Sequence, residues 1–172
     1  QTPPEDIGVH EFEFWCPERR PQGHNIAMLI HPALNCFELN NLSNGTDRPT
    51  SKPNAWVADY YDQNPNLTIV WKVPQLIKTI KLFFDTDFDH PMETVLMSHP
   101  ENVMPFCIQE FELYDDKNEL IFHKTDNYQS VNTIELIRAV QTTKLILKVK
   151  NPSENVPAAL FSIRCYGLSV ES

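Results

Sequence analysis

The chain has 172 residues and a mass of 19.9 kDa, one domain of ordinary size, able to bury about 70% of the surface its unfolded form exposes. A hydrophobic fraction of 41%, with no low-complexity tract and no repeated unit, reads as globular. The net charge of −9, with Arg19-Arg20 as the nearest approach to a basic cluster, excludes nucleic acid as a partner and disfavours an anionic membrane.

Taken in order, Val9 to Trp15 alternates with aromatics on one side and predicts a strand that Cys16-Pro17 ends. Ile26 to Ile30 is a short apolar run, read as strand. Turn-forming residues cluster from Asn40, and Asn44-Gly45 is the strongest turn dipeptide of the chain. Leu67 to Val73 is a strand by its β-branched and aromatic content, which Pro74 is expected to break. Leu76 to Phe84 follows as a separate strand, with Ile77, Thr79, Lys81 and Phe83 on one side and Leu76, Lys78, Ile80, Leu82 and Phe84 on the other. The stretch from Asp85 to Pro105 has three prolines and little alternation; loops of that length in a compact domain are functional or packed against something. Phe106 to Tyr114 and Glu119 to Lys124 read as a hairpin around Asp115-Asp116-Lys117-Asn118. Ser130 to Val140 fits a strand or a short helix, Lys144 to Lys150 alternates cleanly, and Ala159 to Leu168 is the closing strand. Strands at short intervals, without a convincing amphipathic helix, predict an all-β antiparallel sandwich or barrel.

Only 4 glycines stand against 14 prolines, and Gly8, Gly23, Gly45 and Gly167 form neither a G-x-G-x-x-G nor a P-loop, so neither of those nucleotide cradles is available. No run of about 18 apolar residues exists to cross a membrane as a helix. Cys16, Cys36, Cys107 and Cys165 lack C-x-x-C spacing, which disfavours zinc; they read as buried free thiols, with two disulfides open to them in an oxidising compartment. Asn41-Leu42-Ser43, Asn44-Gly45-Thr46 and Asn66-Leu67-Thr68 fit the N-glycosylation pattern. The opening Gln1-Thr2-Pro3-Pro4 reads as a processed mature chain or a piece of a longer one, and the compartment stays open, a periplasmic or secreted one included.

The succession Asn44-Gly45, Asn54-Ala55-Trp56, a strand to Trp71, Pro74 and Ile77-x-x-Ile80-x-Leu82 resembles the first half of discoidin-like, galactose-binding-like jelly rolls. Ile108-x-x-Phe111-x-Leu113-Tyr114-Asp115 and the closing Phe161-Ser162-Ile163-Arg164-Cys165-Tyr166-Gly167 are similar to their second half. The resemblance covers Phe37 to Leu168 and implies an antiparallel jelly-roll sandwich over 37–172, with 1–36 as a lead-in packed on it. A narrower likeness joins Asn54-Ala55-Trp56-Val57-Ala58-Asp59, Phe84-Asp85-Thr86-Asp87-Phe88-Asp89-His90-Pro91-Met92-Glu93 and Val103-Met104-Pro105-Phe106-Cys107 to the C-terminal region of certain bacterial FAD-dependent oxidoreductases. It implies an accessory, non-catalytic domain whose flavin and catalytic residues lie upstream. Asp85, Asp87, Asp89, His90, Glu93 and His99 would then dock on the flavin domain of the parent chain or border its substrate.

The alternative is a carbohydrate-binding module. Sugar recognition in such sandwiches comes from loops at one end, where an aromatic face stacks on the ring and polar side chains fix hydroxyls. Arg48, Asn54, Trp56, Tyr60 and Tyr61 supply that mixture, with Trp56, at an element end, more often a core or sandwich-corner residue than a platform and the tyrosines the better candidates for exposure. The resemblance also implies a calcium near Asn41, Asn44 and Asp47, where Asn44 stands in place of the usual Asp. The alternating carboxylates of Asp85, Asp87 and Asp89 do not fit an EF-hand, since its glycine and glutamate positions hold His90 and Leu96. His90 and His99 lack a metal-binding register, and no residue of this segment is assigned a catalytic role.

Overall fold

The computed structural model describes residues 37–48, 54–86, 107–154 and 156–167. All of them belong to the larger of two compact units, Asn35–His90 with His99–Ser172. The smaller unit, Gln1–Leu34 with Pro91–Ser98, lies outside the described residues, and with it the strands expected at Val9 to Trp15 and Ile26 to Ile30.

A 3-10 turn at Leu39–Ser43 precedes six strands: β1 Trp56–Val57, β2 Asn66–Phe84, β3 Phe111–Tyr114, β4 Leu120–Lys124, β5 Val131–Val149 and β6 Ala159–Gly167. They pair antiparallel throughout, in the spatial order β1-β6-β2-β5-β3-β4. The two 19-residue strands, β2 and β5, lie side by side and carry the fold.

Pro74 does not end a strand, contrary to the expectation from sequence. The β2–β5 register breaks between Val70 and Gln75, so Trp71 to Pro74 form an irregularity in which no ladder bond is asked of the proline nitrogen. At a second break, between Ile77 and Thr79, Lys78 is extra relative to β6 while Leu136 to Ala139 of β5 bulge opposite it, and the side that faces inward changes. Leu67 is buried at one end of β2, Ile77 before this break, and Ile80, Leu82 and Phe84 after it. The simple alternation read over Leu76 to Phe84 therefore fails at one position, Ile77. On β5 the same switch runs from Asn132, Ile134 and Leu136 to Leu145, Leu147 and Val149. Ser130 to Val140 is thus strand rather than helix, continuous with the run that ends at Val149.

These irregularities fold the sheet over. Phe84 lies where β2 meets the start of β5, while Phe111 is paired with Val149 at the far end of β5. Laid flat, the 18 residues between Val131 and Val149 would separate them by roughly 60 Å at about 3.3 Å per residue. Their rings instead meet at 5.2 Å between centroids, and Phe111 continues to Phe122 at 5.8 Å. The two halves face each other as the layers of a sandwich, with Ile80, Leu82, Phe84, Phe111, Leu113, Leu145, Leu147 and Leu160 in the shared core.

The hairpin turn forms where the sequence places it. Asp115 Oδ1 accepts the Lys117 and Glu119 amides at 2.9 and 2.8 Å, and Asn118 takes a positive φ of 60°, which asparagine tolerates. β3 is shorter than the Phe106 to Tyr114 expected, because the Gln109 and Glu110 carbonyls accept from the loop amides of Asn127 and Lys150.

Candidate functional site

The loops between strands gather at two ends of the sandwich. One end holds the kinks of β2 and β5 and the β3–β4 turn; the other holds residues 58–65, 107–110, 125–130 and 150–158. Backbone bonds tie the second set together: Val149 N to Pro65 O at 3.1 Å, Ala58 N to Ala158 O at 2.9 Å, and Asn127 N to Gln109 O at 2.9 Å.

Tyr60 and Tyr61 sit at this end on the turn between β1 and β2. Asp59 Oδ1 accepts the Tyr61 amide and Asp62 Oδ1 the Asn64 amide, both at 2.9 Å, so two successive Asx turns shape the segment. Asn151 fastens it from the far side, donating to Asp62 O at 2.8 Å while its own oxygen accepts from Ala158 N. The rings meet edge to face, with centroids 5.2 Å apart and planes at 87°, and Tyr61 is 84% exposed. A rigid turn presenting an exposed aromatic face costs a ligand little ordering entropy.

The other residues singled out for sugar binding have different surroundings. Asn54 is buried; its amide donates to Thr46 O at 2.8 Å and its oxygen accepts from Asn44. Trp56 is half-buried, pairs with Leu160 in the ladder and packs on the core. Arg48 is exposed and borders residues 49–53, which lie outside the described residues. The structure thus joins Tyr60 to Tyr61, and Asn54 to the loop that starts at Asn44.

The loop considered for calcium spends its side chains internally. Asn41 donates to Ala55 O at 2.8 Å, Asn44 Oδ1 accepts the Thr46 amide at 2.9 Å, and the Asp47 carboxylate pairs with the Arg164 guanidinium. Gly45, at φ +87°, makes the turn between them. These side-chain oxygens offer a hard cation little, since the one carboxylate is already matched by a positive charge. Of the acidic docking loop, Asp85 is described and half-buried; Asp87, Asp89, His90, Glu93 and His99 lie outside the described residues.

Two features have no counterpart in the reading of the sequence. The first is a buried asparagine pair. Asn127 donates to Ile108 O at 2.8 Å and Gln129 O at 3.2 Å, and its oxygen accepts from Gln129 N and from Asn132 Nδ2. Lys124 Nζ reaches Asn132 Oδ1 at 3.0 Å. Beside them, burial first and the charge of Asp85 second push the Cys107 thiol up to about 11; on β6, burial does the same to Cys165, so these two cysteines, free among the described residues, stay protonated at neutral pH.

The second feature is a groove of about 170 Å³ walled by Asn64, Pro65, Glu110, Glu112, Lys148 and Lys150. Glu112 stands opposite Lys148 across β3 and β5. Glu110 pairs with Lys150 at 2.5 Å and with His123 at 3.4 Å, and the bond from Lys150 is the main cause holding its carboxyl below the usual glutamate range. Tyr114 donates to Glu112 at 2.8 Å and carries Lys148 over its ring at 4.4 Å. The signal in the sequence was the pair of triplets Glu110-Phe111-Glu112 and Lys148-Val149-Lys150, whose opposite charges meet only once the strands are paired.

No family model and no curated protein matches the chain. Solved structures do. The family 32 carbohydrate-binding module of Streptococcus pneumoniae EndoD superposes with a TM-score of 0.58 at 15% identity, over 79% of this chain and 89% of that one. The family 32 module of C. perfringens NanJ, solved in complex with galactose, gives 0.54 at 11%, over 77% and 86%. CpGH89CBM32-5 from Clostridium perfringens, solved with GalNAc-β-1,3-galactose, gives 0.52 at 12%, over 74% and 81%. At such identities the likeness speaks for architecture alone, and the architecture agrees with the strand order and the folded-over sheet: the chain has a galactose-binding-like β-sandwich fold.

Proposed function

We propose that this chain is a carbohydrate-binding module that holds a glycan against Tyr60 and Tyr61 at the loop end of the sandwich. The observation that carries this reading is the exposed, edge-to-face tyrosine pair on a turn fixed by Asp59, Asp62 and Asn151. A sugar ring offers C–H faces to such a platform, and polar groups of neighbouring loops fix its hydroxyls. Structural neighbours bound to galactose and to GalNAc-β-1,3-galactose support it, because they use the same architecture at similar length. In this reading Asn54 and Trp56 hold the loop and β1 in place. Among the described residues no helix is long and apolar enough to cross a membrane.

A glycan array followed by calorimetry tests it, with and without calcium. Binding is expected, and Tyr61→Ala should weaken it about tenfold or more with no change in Tm. Absence of binding under both conditions would overturn the proposal. The reading as an accessory domain of a flavin enzyme rests on the wording of residues 54–59, 84–93 and 103–107. It is decided by the reading frame upstream: a flavin-binding glycine motif would attach this module to an oxidoreductase, and its absence would end that reading.

A further inference from the structure

We infer that the charged groove is a second sugar subsite, contiguous with the tyrosine turn, which makes the site one for a neutral oligosaccharide rather than a single terminal sugar. The inference rests on the carbohydrate-binding reading above and extends it.

Continuity comes from the chain. One loop, residues 58–65, carries Tyr60 and Tyr61 at its outer bend and Asn64 and Pro65 at its inner end, where they form a wall of the groove. The bend and the wall are held together by the Asx turn at Asp62 and by the bond from Val149 N to Pro65 O. A ligand leaving the tyrosines along this loop meets the groove next.

The size suits a sugar. The groove, about 170 Å³ and open to solvent, has room for several waters and so for part of a sugar ring. The rim presents acceptors at Glu110 and Glu112 and donors at Lys148, Lys150 and Asn64. Pyranose hydroxyls both donate and accept, and a rim carrying both kinds of group can meet adjacent hydroxyls in pairs by charge-assisted bonds.

The rim is also set before a ligand arrives. Lys150 and His123 hold Glu110, Tyr114 holds Glu112, and the Tyr114 ring supports Lys148, so little rotamer freedom is left to lose.

Charge sets the class of sugar. Two carboxylates and two ammonium groups offset one another at the rim, whereas the whole chain carries −9. An acidic glycan meets general repulsion and no local excess of cations to repay it. A neutral one meets neither.

The test compares ligands by length. Calorimetry with galactose and with GalNAc-β-1,3-galactose, alongside the strongest monosaccharide from the array and its disaccharides, should show the disaccharide binding about tenfold tighter, the worth of one or two net hydrogen bonds. Glu112→Gln and Lys148→Gln, with folding checked by circular dichroism, should bring that ratio down toward one. Lys117→Gln, in the turn at the opposite end, should leave it unchanged. A sialylated version of the best disaccharide should bind more weakly than the neutral form. Equal affinity for one and two sugars, or a ratio indifferent to Glu112→Gln and Lys148→Gln, would overturn the subsite and leave the module reading standing. No binding of any of these sugars would overturn both.

Discussion

At the residue scale, a few buried polar side chains hold this fold alongside the apolar core. Asn127 is fully buried and spends its whole amide on four partners, joining residues 107–110 to the loop before β5. Truncating it removes the side-chain donor to the Ile108 carbonyl and the acceptor of the Gln129 amide, and leaves the Asn132 amide with Gln129 O alone. Asn127→Ala should therefore cost about 3 kcal/mol, read as a lower urea midpoint, whereas truncating an exposed asparagine such as Asn64 should move the midpoint little. Asp116 acts at the other end of the molecule, where its carboxylate accepts from both the Thr143 amide and hydroxyl at 2.8 Å. Those bonds lower its pKa in the folded chain below the ordinary aspartate value. A depressed carboxylate stabilises fully above its unfolded-state pKa, and the contribution is lost as pH falls through the folded value. Asp116→Ala should accordingly lower the urea midpoint at pH 7, and the gap to the unaltered chain should narrow as the titration is carried to pH 3.

At the scale of elements, the sandwich depends on two long strands bent at matched places. Legibility from sequence follows the same line. Strand content, the Asp115–Asn118 turn and the closing strand were readable because each rests on local chemistry: alternation, a turn aspartate, an asparagine with positive φ. The union of Leu67–Val73 with Leu76–Phe84 was not, because Pro74 ends a ladder in isolation and is accommodated only where a partner strand leaves an irregularity for it. Ile77 changed sides for the same reason, since Lys78 is extra only relative to β6, and on the other flank β5 sets Leu136 to Ala139 against it. A bulge is a property of a pair of strands, and one strand's sequence does not contain it. Where β6 runs past this break, a Cβ added at Gly167 would lie 2.5 Å from the Leu76 carbonyl oxygen, a backbone atom with little room to retreat. Gly167→Ala should cost about 1 to 3 kcal/mol by forcing β6 off β2, measured as a fall in Tm.

At the scale of the whole molecule, chemistry suited to binding concentrates at one end. The β3–β4 turn and the strand kinks brace the opposite end through Asp116, Thr142 and Thr143, while the loop end presents the tyrosine pair and the charged groove. Part of that site was readable: Tyr60-Tyr61 follows a turn-forming aspartate in a polar stretch, a pattern of exposure. Asn54 was read as a sugar contact on residue type, yet it is buried and holds the loop, since residue type alone does not report burial; Trp56 packs on the core, as its place at a strand end suggested. The groove was unreadable because its walls come from Asn64, Glu112 and Lys148, which only the antiparallel pairing of β3 with β5 brings together.

The central claim is that a glycan binds at the loop end through Tyr60 and Tyr61. Amide chemical shifts of the ¹⁵N-labelled chain, followed while the best array glycan is titrated in, test it most directly. The account predicts saturable changes clustered at residues 58–65, 110–112 and 148–151, all abolished in Tyr60→Ala/Tyr61→Ala. Changes centred instead on residues 115–118 and 137–143, or changes that survive the double substitution, would contradict it.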